Sequence, residues 1–148
     1  MSNESEQTRA LRKLLLKYGF YFIKIVQQGY TERGIPDLLG CVDGIFVGIE
    51  VKIKRERVIL YTDHQRFHLM NIRIAGGIGV GVVYDPSRSP ETRWALDMET
   101  TGETEHLTWV SFTGLAESVR SLPMKLGLTT ELPQIRQRVG QQTGRESS

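Results

Sequence analysis

Three ionisable residues are of the types that hydrolytic chemistry uses: Asp37, Glu50 and Lys52. Carboxylate oxygens are preferred ligands of Mg²⁺ and Mn²⁺, and Mg²⁺ commonly takes one or two while water and phosphate oxygens fill its other positions. A cation bound in this way activates water and neutralises charge on a phosphate. A neighbouring lysine can orient or help deprotonate that water. These side chains predict metal-assisted phosphodiester hydrolysis, and the backbone carbonyl of Val51 is a candidate additional ligand.

A tight turn at Asp43-Gly44 is the feature that brings the three residues together. Asp-Gly between two runs of strand-forming residues is a strong signal for a β-hairpin. If Val42 pairs with Ile45, successive pairs counted outward place Asp37 directly opposite Glu50. Because side chains alternate between the faces of a strand, the lysine two residues further on shares their face.

The other face of this hairpin is apolar and is predicted to be core. A shift of one residue in the register would exchange the faces and bury the three ionisable groups, so the pattern favours a single register. The predicted core positions are Leu38, Gly40, Val42, Ile45, Val47, Ile49, Val51 and Ile53.

A cross-strand salt bridge is the structural alternative for the same residues, since Pro-Asp is common at turns and Glu-x-Lys on exposed strands. Two carboxylates directly opposite one another repel, however, unless a cation lies between them. The arrangement of Asp37 and Glu50 therefore favours a metal site.

Two amphipathic helices and two further strands flank the hairpin. Apolar residues at helical spacing predict a first helix over residues 8–18, followed by a strand within residues 20–26. A second helix is predicted over residues 62–75, with Phe67, Met70 and Ile74 as its apolar stripe. A strand over residues 80–84 follows, and since a helix separates it from the hairpin we expect parallel pairing.

The composition is that of an ordinary folded protein, with 148 residues, 39% hydrophobic and 24% charged. We expect one domain over residues 1–128, with its core at about 4–84 and an added hairpin and helix at about 90–126. A polar, flexible tail is expected over residues 129–148. The lone Cys41, the lack of a long apolar run and the lack of a leader pattern favour a cytoplasmic protein without membrane insertion.

Two segments resemble a known superfamily. Residues 34–39, Gly-Ile-Pro-Asp-Leu-Leu, and residues 48–52, Gly-Ile-Glu-Val-Lys, resemble the motif of the PD-(D/E)xK nucleases, and more narrowly the stand-alone VRR-NUC branch of phages and bacteria. The resemblance covers about residues 4–84. It implies an α/β fold with a restriction-endonuclease-like αβββαβ core and mixed sheet, here with a C-terminal extension. It also implies Mg²⁺ or Mn²⁺ dependence, and homodimers that cut branched DNA such as four-way junctions.

The resemblance also implies roles for individual residues. Asp37 and Glu50 would be metal ligands, Lys52 the catalytic lysine, and Gln65 a glutamine lining the site. A capping box explains Gln65 equally well, because it follows Thr62 at the spacing at which both satisfy backbone N–H groups. The family also has a glutamate on the first helix, for which the candidates are Glu4 and Glu6.

Four basic residues flank the motif and are candidates for holding DNA phosphates: Arg33, Lys54, Arg55 and Arg57. A solvated surface is the alternative for each, and the net charge of +2 does not indicate a nucleic-acid-binding protein. The predicted function is a structure-selective, metal-dependent endodeoxyribonuclease. The alternatives are a nickase or restriction-type nuclease of the same superfold, or a non-catalytic nucleic-acid-binding or assembly protein.

Overall fold

A computed structural model of the chain describes residues 3–26 and 32–128, which form a six-stranded mixed sheet with helices on both faces. The strands lie in the order β1 to β6, and every neighbouring pair is antiparallel except β3 and β4, which are parallel. The elements in chain order are α1 Glu4–Lys17, β1 Tyr21–Lys24, β2 Leu38–Val42, β3 Ile45–Ile53, α2 Asp63–Ile74, β4 Ile78–Tyr84, a 3₁₀ turn Pro90–Thr92, β5 Trp94–Asp97, β6 Trp109–Val110, α3 Phe112–Arg120 and α4 Leu122–Lys125.

The first helix begins at Glu4, four residues before the predicted start, because Asn3 caps it. The Asn3 side chain accepts a hydrogen bond from the backbone N–H of Glu6 at 2.8 Å, which satisfies a donor that the helix leaves unpaired. Gly19 ends the helical segment with a positive φ of 85°. The helix α1 therefore starts about one turn earlier than the apolar pattern alone predicts.

The predicted hairpin register is confirmed. Val42 pairs with Ile45, and the pairing continues to Leu38 opposite Ile49. Residues Asp43 and Gly44 both take positive φ, 51° and 78°, as the favoured two-residue hairpin turn requires. The predicted apolar face of the hairpin packs against α1 and α3 in the larger core, in which the buried residues include Leu11, Leu15, Leu38, Val42, Val47, Ile49, Val51, Val82, Leu115 and Val119.

The opposite face of the sheet is also buried, which the hairpin pattern did not predict. A smaller core formed by the second helix and the segment before it covers that face of β3, β4 and β5. Only 4% of Glu50 and 7% of Lys52 is exposed as a result. The buried residues of the smaller core are Ile59, Tyr61, Leu69, Val83, Ala95 and Leu107.

The predicted apolar stripe of α2 is wrong. Its three residues are exposed, and the helix turns Leu69 and the half-buried Ile72 towards the sheet. The reason lies in the strands beneath: a Cβ at Gly79 would collide with the Leu69 backbone, and one at Gly48 would collide with the Ile72 side chain. The glycines allow α2 to approach closely with Leu69 and Ile72 towards the sheet. This orientation leaves Phe67, Met70 and Ile74 exposed.

The remaining predicted elements are present with shifted bounds. β4 pairs in parallel with β3 as predicted, the added hairpin consists of β5 and β6, and the short C-terminal helix is observed as α3 and α4. The predicted tail over residues 129–148 and part of the loop before the hairpin lie outside the described residues. Within the described ranges, no helix combines the length and apolarity needed to cross a membrane.

Candidate active site

Asp37 lies immediately before β2, and its backbone and side chain are both held. Its carbonyl oxygen accepts a hydrogen bond from the Ile25 N–H at 2.8 Å, which continues the β1–β2 ladder by one step. Its Oδ2 accepts one from the Val51 N–H, also at 2.8 Å. This second bond directs the carboxylate across the hairpin, so that it lies beside Glu50 as predicted.

Glu50 is a buried carboxyl group with only one of its oxygens satisfied. Its Oε1 accepts a hydrogen bond from Gln65 Nε2 at 2.8 Å, whereas Oε2 is buried without a hydrogen-bond partner among the described residues. Burial, followed by the charge of Asp37, raises the pKa of Glu50 to about 9, although the charge of Lys52 acts in the opposite direction. Burial also raises the pKa of Asp37. The metal-free pair therefore resists holding two negative charges.

These features fit a divalent cation. A buried carboxylate oxygen that receives no hydrogen bond, next to a second carboxylate, provides the hard oxygen donors that Mg²⁺ or Mn²⁺ takes. No cluster of three or more His, Cys, Asp or Glu side chains suited to a metal is present in the described part of the chain. Asp37 and Glu50 are thus the side-chain ligands available here, and Mg²⁺ commonly needs no more than two.

Lys52 lies on the same face of β3 as Glu50, and its charge lowers the pKa values of both Asp37 and Glu50. Within the described residues its ammonium forms no salt bridge, and its Nζ lies 5.7 Å from the centroid of the Tyr61 ring. Tyr61 was not predicted to be near the site, because it lies in an irregular segment where no periodic pattern in the sequence marks a buried residue.

Gln65 makes contacts in the structure with both the start of α2 and Glu50. Its Oε1 accepts a hydrogen bond from the Thr62 N–H at 2.9 Å, and its own N–H donates to Thr62 Oγ1 at 3.1 Å, which completes the capping box. Its Nε2 is left to donate to Glu50. The two ends of one amide therefore cap α2 and hold a carboxylate of the site.

Of the two candidate glutamates on α1, the structure brings only Glu4 to the site. Its Oε2 accepts a hydrogen bond from the Ile53 N–H at 3.1 Å, and its charge contributes to raising the pKa values of Asp37 and Glu50. Glu6 is exposed and contacts the capping residue Asn3 instead.

The basic candidates occupy different environments. Arg33 lines a cavity of about 370 Å³, and Asp37, Glu50 and Gln65 line the same cavity. Lys54 forms a salt bridge with Asp85 at 3.5 Å, and four-fifths of its side chain is covered. The third and fourth candidates, Arg55 and Arg57, lie exposed on the loop after β3. Three of the four thus have the exposure that phosphate contacts need.

Comparison with known proteins gives a fold relationship. The structure resembles Hjc, a Holliday junction resolvase from the archaeal hyperthermophile Archaeoglobus fulgidus, with a TM-score of 0.52 and 19% identity over 73% of this chain and 95% of that chain. A bacterial homing endonuclease, I-Ssp6803I, aligns with a TM-score of 0.36 and 17% identity over 84% of this chain and 94% of that one. No protein-family model and no curated protein sequence matches the chain. The chain has the restriction-endonuclease-like α/β fold that its resemblance to the PD-(D/E)xK nucleases implied.

Proposed function

We propose that this protein is a divalent-metal-dependent endodeoxyribonuclease. The observation that carries the proposal is the buried acidic pair, in which Oε2 of Glu50 receives no hydrogen bond from any donor group of the described residues. The two carboxyl groups are close enough to interact directly, but they can bond to each other only through a shared proton. An acidic pair with such raised pKa values costs free energy in a purely structural role. Binding a cation offsets that cost, and the fold shared with a Holliday junction resolvase supports the same chemistry.

In the proposed mechanism each residue has a separate task. Asp37 and Glu50 would hold Mg²⁺ or Mn²⁺, with the carbonyl of Val51 as a further ligand, and the metal when bound would supply an activated water and a counter-charge for the phosphate. Gln65 fixes the Glu50 carboxylate through its 2.8 Å hydrogen bond. Lys52 would orient the attacking water and stabilise the negative charge on the oxygen that leaves as its bond to phosphorus breaks.

The proposed substrate is branched DNA, in particular four-way junctions. This choice is supported by the fold similarity to Hjc and by the resemblance of the motif to VRR-NUC proteins. Arg33, Arg55 and Arg57 would hold the phosphates on either side of the scissile bond. We further propose a homodimer, because two sites related by a two-fold axis suit paired cuts in a symmetric junction.

Cleavage assays test the proposed function directly. We expect the purified protein to cut junction DNA faster than flap, single-stranded or linear duplex DNA with Mg²⁺ or Mn²⁺, and not to cut with EDTA. Asp37→Asn, Glu50→Gln and Lys52→Met should each lower kcat by roughly 100-fold or more without unfolding the protein. The matched control is Glu6→Gln, which changes an exposed acid of α1 and should cut like the native protein.

The outcomes separate the alternative functions. Cleavage of linear duplex DNA at the same rate as junction DNA would indicate a restriction-type enzyme. Cuts confined to one strand would indicate a nickase. DNA binding without cleavage under any metal condition would support a non-catalytic binding or assembly protein. Full activity in all three site variants would refute the proposed mechanism.

A further inference from the structure

A row of three residues crosses the buried face of the sheet next to the acidic pair. Glu50 on β3 pairs with Gly81 on β4, which pairs with Asp97 on β5, so all three positions share one face. Gly81 has no side chain, and this leaves a gap between the two acids. Tyr61 fills the gap, because a Cβ at Gly81 would collide with the Tyr61 hydroxyl and ring.

The hydroxyl of Tyr61 is held on the far side of this gap. It donates a hydrogen bond to Asp97 Oδ2 at 2.7 Å, and the Asp97 side chain is fully buried. The other oxygen of Asp97, Oδ1, accepts a hydrogen bond from the Thr100 N–H at 3.0 Å. The same oxygen lies 3.0 Å from Nε2 of His106. Since several partners fix the carboxylate and the carboxylate fixes the hydroxyl, the tyrosine ring has one position.

The ring in turn lies against Lys52. The lysine is 93% buried, its ammonium forms no salt bridge within the described residues, and Nζ lies 5.7 Å from the Tyr61 ring centroid. A lysine side chain has four rotatable bonds and loses considerable entropy when it is fixed. A cation–π contact in a desolvated setting is a means of fixing it.

We propose that Tyr61, anchored by Asp97, is a positioning residue that holds the Lys52 ammonium beside the acidic pair. The proposal rests on the proposed function, because it gives Lys52 a defined place only in that reaction. A phenylalanine would occupy nearly the same volume, but it would leave Oδ2 of the buried Asp97 without its donor and the ring without its anchor. Tyrosine thus combines a ring that contacts Lys52 with a hydroxyl that fixes the position of that ring.

Kinetics of Tyr61 variants with junction DNA and Mg²⁺ test this role. We expect Tyr61→Phe to lower kcat about five- to tenfold and Tyr61→Leu about 50-fold or more, with KM for DNA and Mn²⁺ affinity unchanged, because the metal ligands stay in place. Leu107→Ala is the matched control, since Leu107 belongs to the same small core. It should lower Tm without changing kcat, and a Tyr61 variant that behaved in the same way would overturn the proposal.

A spectroscopic readout decides the question without cleavage. In protein labelled with ¹³C at the lysine ε carbon, the Lys52 ε-methylene protons should show a ring-current shift, identified by its loss in Lys52→Arg. Tyr61→Leu should abolish that shift and Tyr61→Phe should reduce it, while an unshifted native signal would refute the contact. If the native protein did not cut DNA, the proposed function would fail while this signal still tested the Tyr61–Lys52 contact.

Discussion

Gln65 connects the start of α2 to Glu50, because its Nε2 donates to Oε1 of Glu50 at 2.8 Å while its own Oε1 accepts from the Thr62 N–H at 2.9 Å. One amide thus satisfies a helix end and a buried carboxylate at the same time. The position of α2 relative to β3 is therefore tied to the geometry of the acidic pair.

The two roles of Gln65 are separable by substitution. Thr62→Ala removes the side-chain half of the capping box and should cost about 1 kcal/mol of stability, while kcat stays near the native value because the Thr62 backbone N–H still holds Gln65. Gln65→Glu keeps a capping acceptor but replaces the amide donor by a carboxylate, so it should reduce kcat roughly tenfold or more. Thermal unfolding and single-turnover cleavage measure the two effects. Equal kcat in Gln65→Glu and native protein would show that the contact with Glu50 does not matter for catalysis.

The acidic pair predicts an unusual pH dependence of stability in metal-free protein. The pKa of Glu50 rises from 4.5 to about 9, so its contribution to stability is full below about 4.5 and is lost as the pH rises towards 9. Glu50→Gln carries no such charge and should be more stable than native protein at pH 9 by about 1–3 kcal/mol. Denaturant unfolding in EDTA from pH 5 to 9 measures this.

The difference between these two curves isolates the acidic pair, because Glu50→Gln also removes the influence of Glu50 on Asp37. His106 also has a raised pKa, first because of its hydrogen bond to Asp97, so it too loses stabilising effect as the pH rises, but it does so in both proteins. Added Mn²⁺ should restore the stability of native protein at high pH and have little effect on Glu50→Gln. Parallel curves for the two proteins would contradict the burial and coupling of this carboxyl group.

The two acids of α1 form a natural matched pair. Glu4→Gln weakens the acceptor of the Ile53 N–H and removes a negative charge near the site, so we expect Mn²⁺ affinity to fall about tenfold. Glu6→Gln changes an exposed residue with no contact to the site and should leave the affinity unchanged. Isothermal titration calorimetry compares them, and an equal loss in both variants would argue for a general effect of helix charge.

Salt dependence tests the phosphate contacts. Arg33→Gln and Arg57→Gln should each weaken DNA binding on every sequence and reduce the slope of log K against log salt by about 1. Lys125→Gln on α4 is the control, since this helix packs into the core on the opposite side of the sheet. Fluorescence anisotropy with catalytically inactive Asp37→Asn protein provides the measurement. An unchanged slope in both arginine variants would exclude these contacts.

The hairpin and its acidic pair were predictable because their signals are local. The turn at Asp43-Gly44 and the alternation of side chains fix the register, and the register alone places Asp37 opposite Glu50. The burial of Glu50 and Lys52 was not predictable from the hairpin, since it depends on what packs over that face.

The orientation of α2 shows why longer-range features escaped prediction. Phe67, Met70 and Ile74 have helical spacing, yet the helix buries Leu69 because glycines in β3 and β4 permit a close approach there. Likewise, the position of Tyr61 depends on strand pairing that places Gly81 between Glu50 and Asp97. Such pairings join residues far apart in sequence, and no local pattern encodes them.

The end of β2 at Leu38 has a consequence for the backbone that carries the candidate site. β3 is paired with both β2 and β4 as far as Ile49, whereas Glu50 and Lys52 lie beyond the end of β2. There the N–H groups of Val51 and Ile53 donate to the side chains of Asp37 and Glu4 instead. Amide protons from Val47 to Ile49 should therefore exchange with solvent only on global unfolding. The N–H groups of Val51 and Ile53 depend on the acids of the site for their protection. Replacing Asp37 or Glu4 should thus speed their exchange, so these two acids also stabilise the strand segment that carries Glu50 and Lys52.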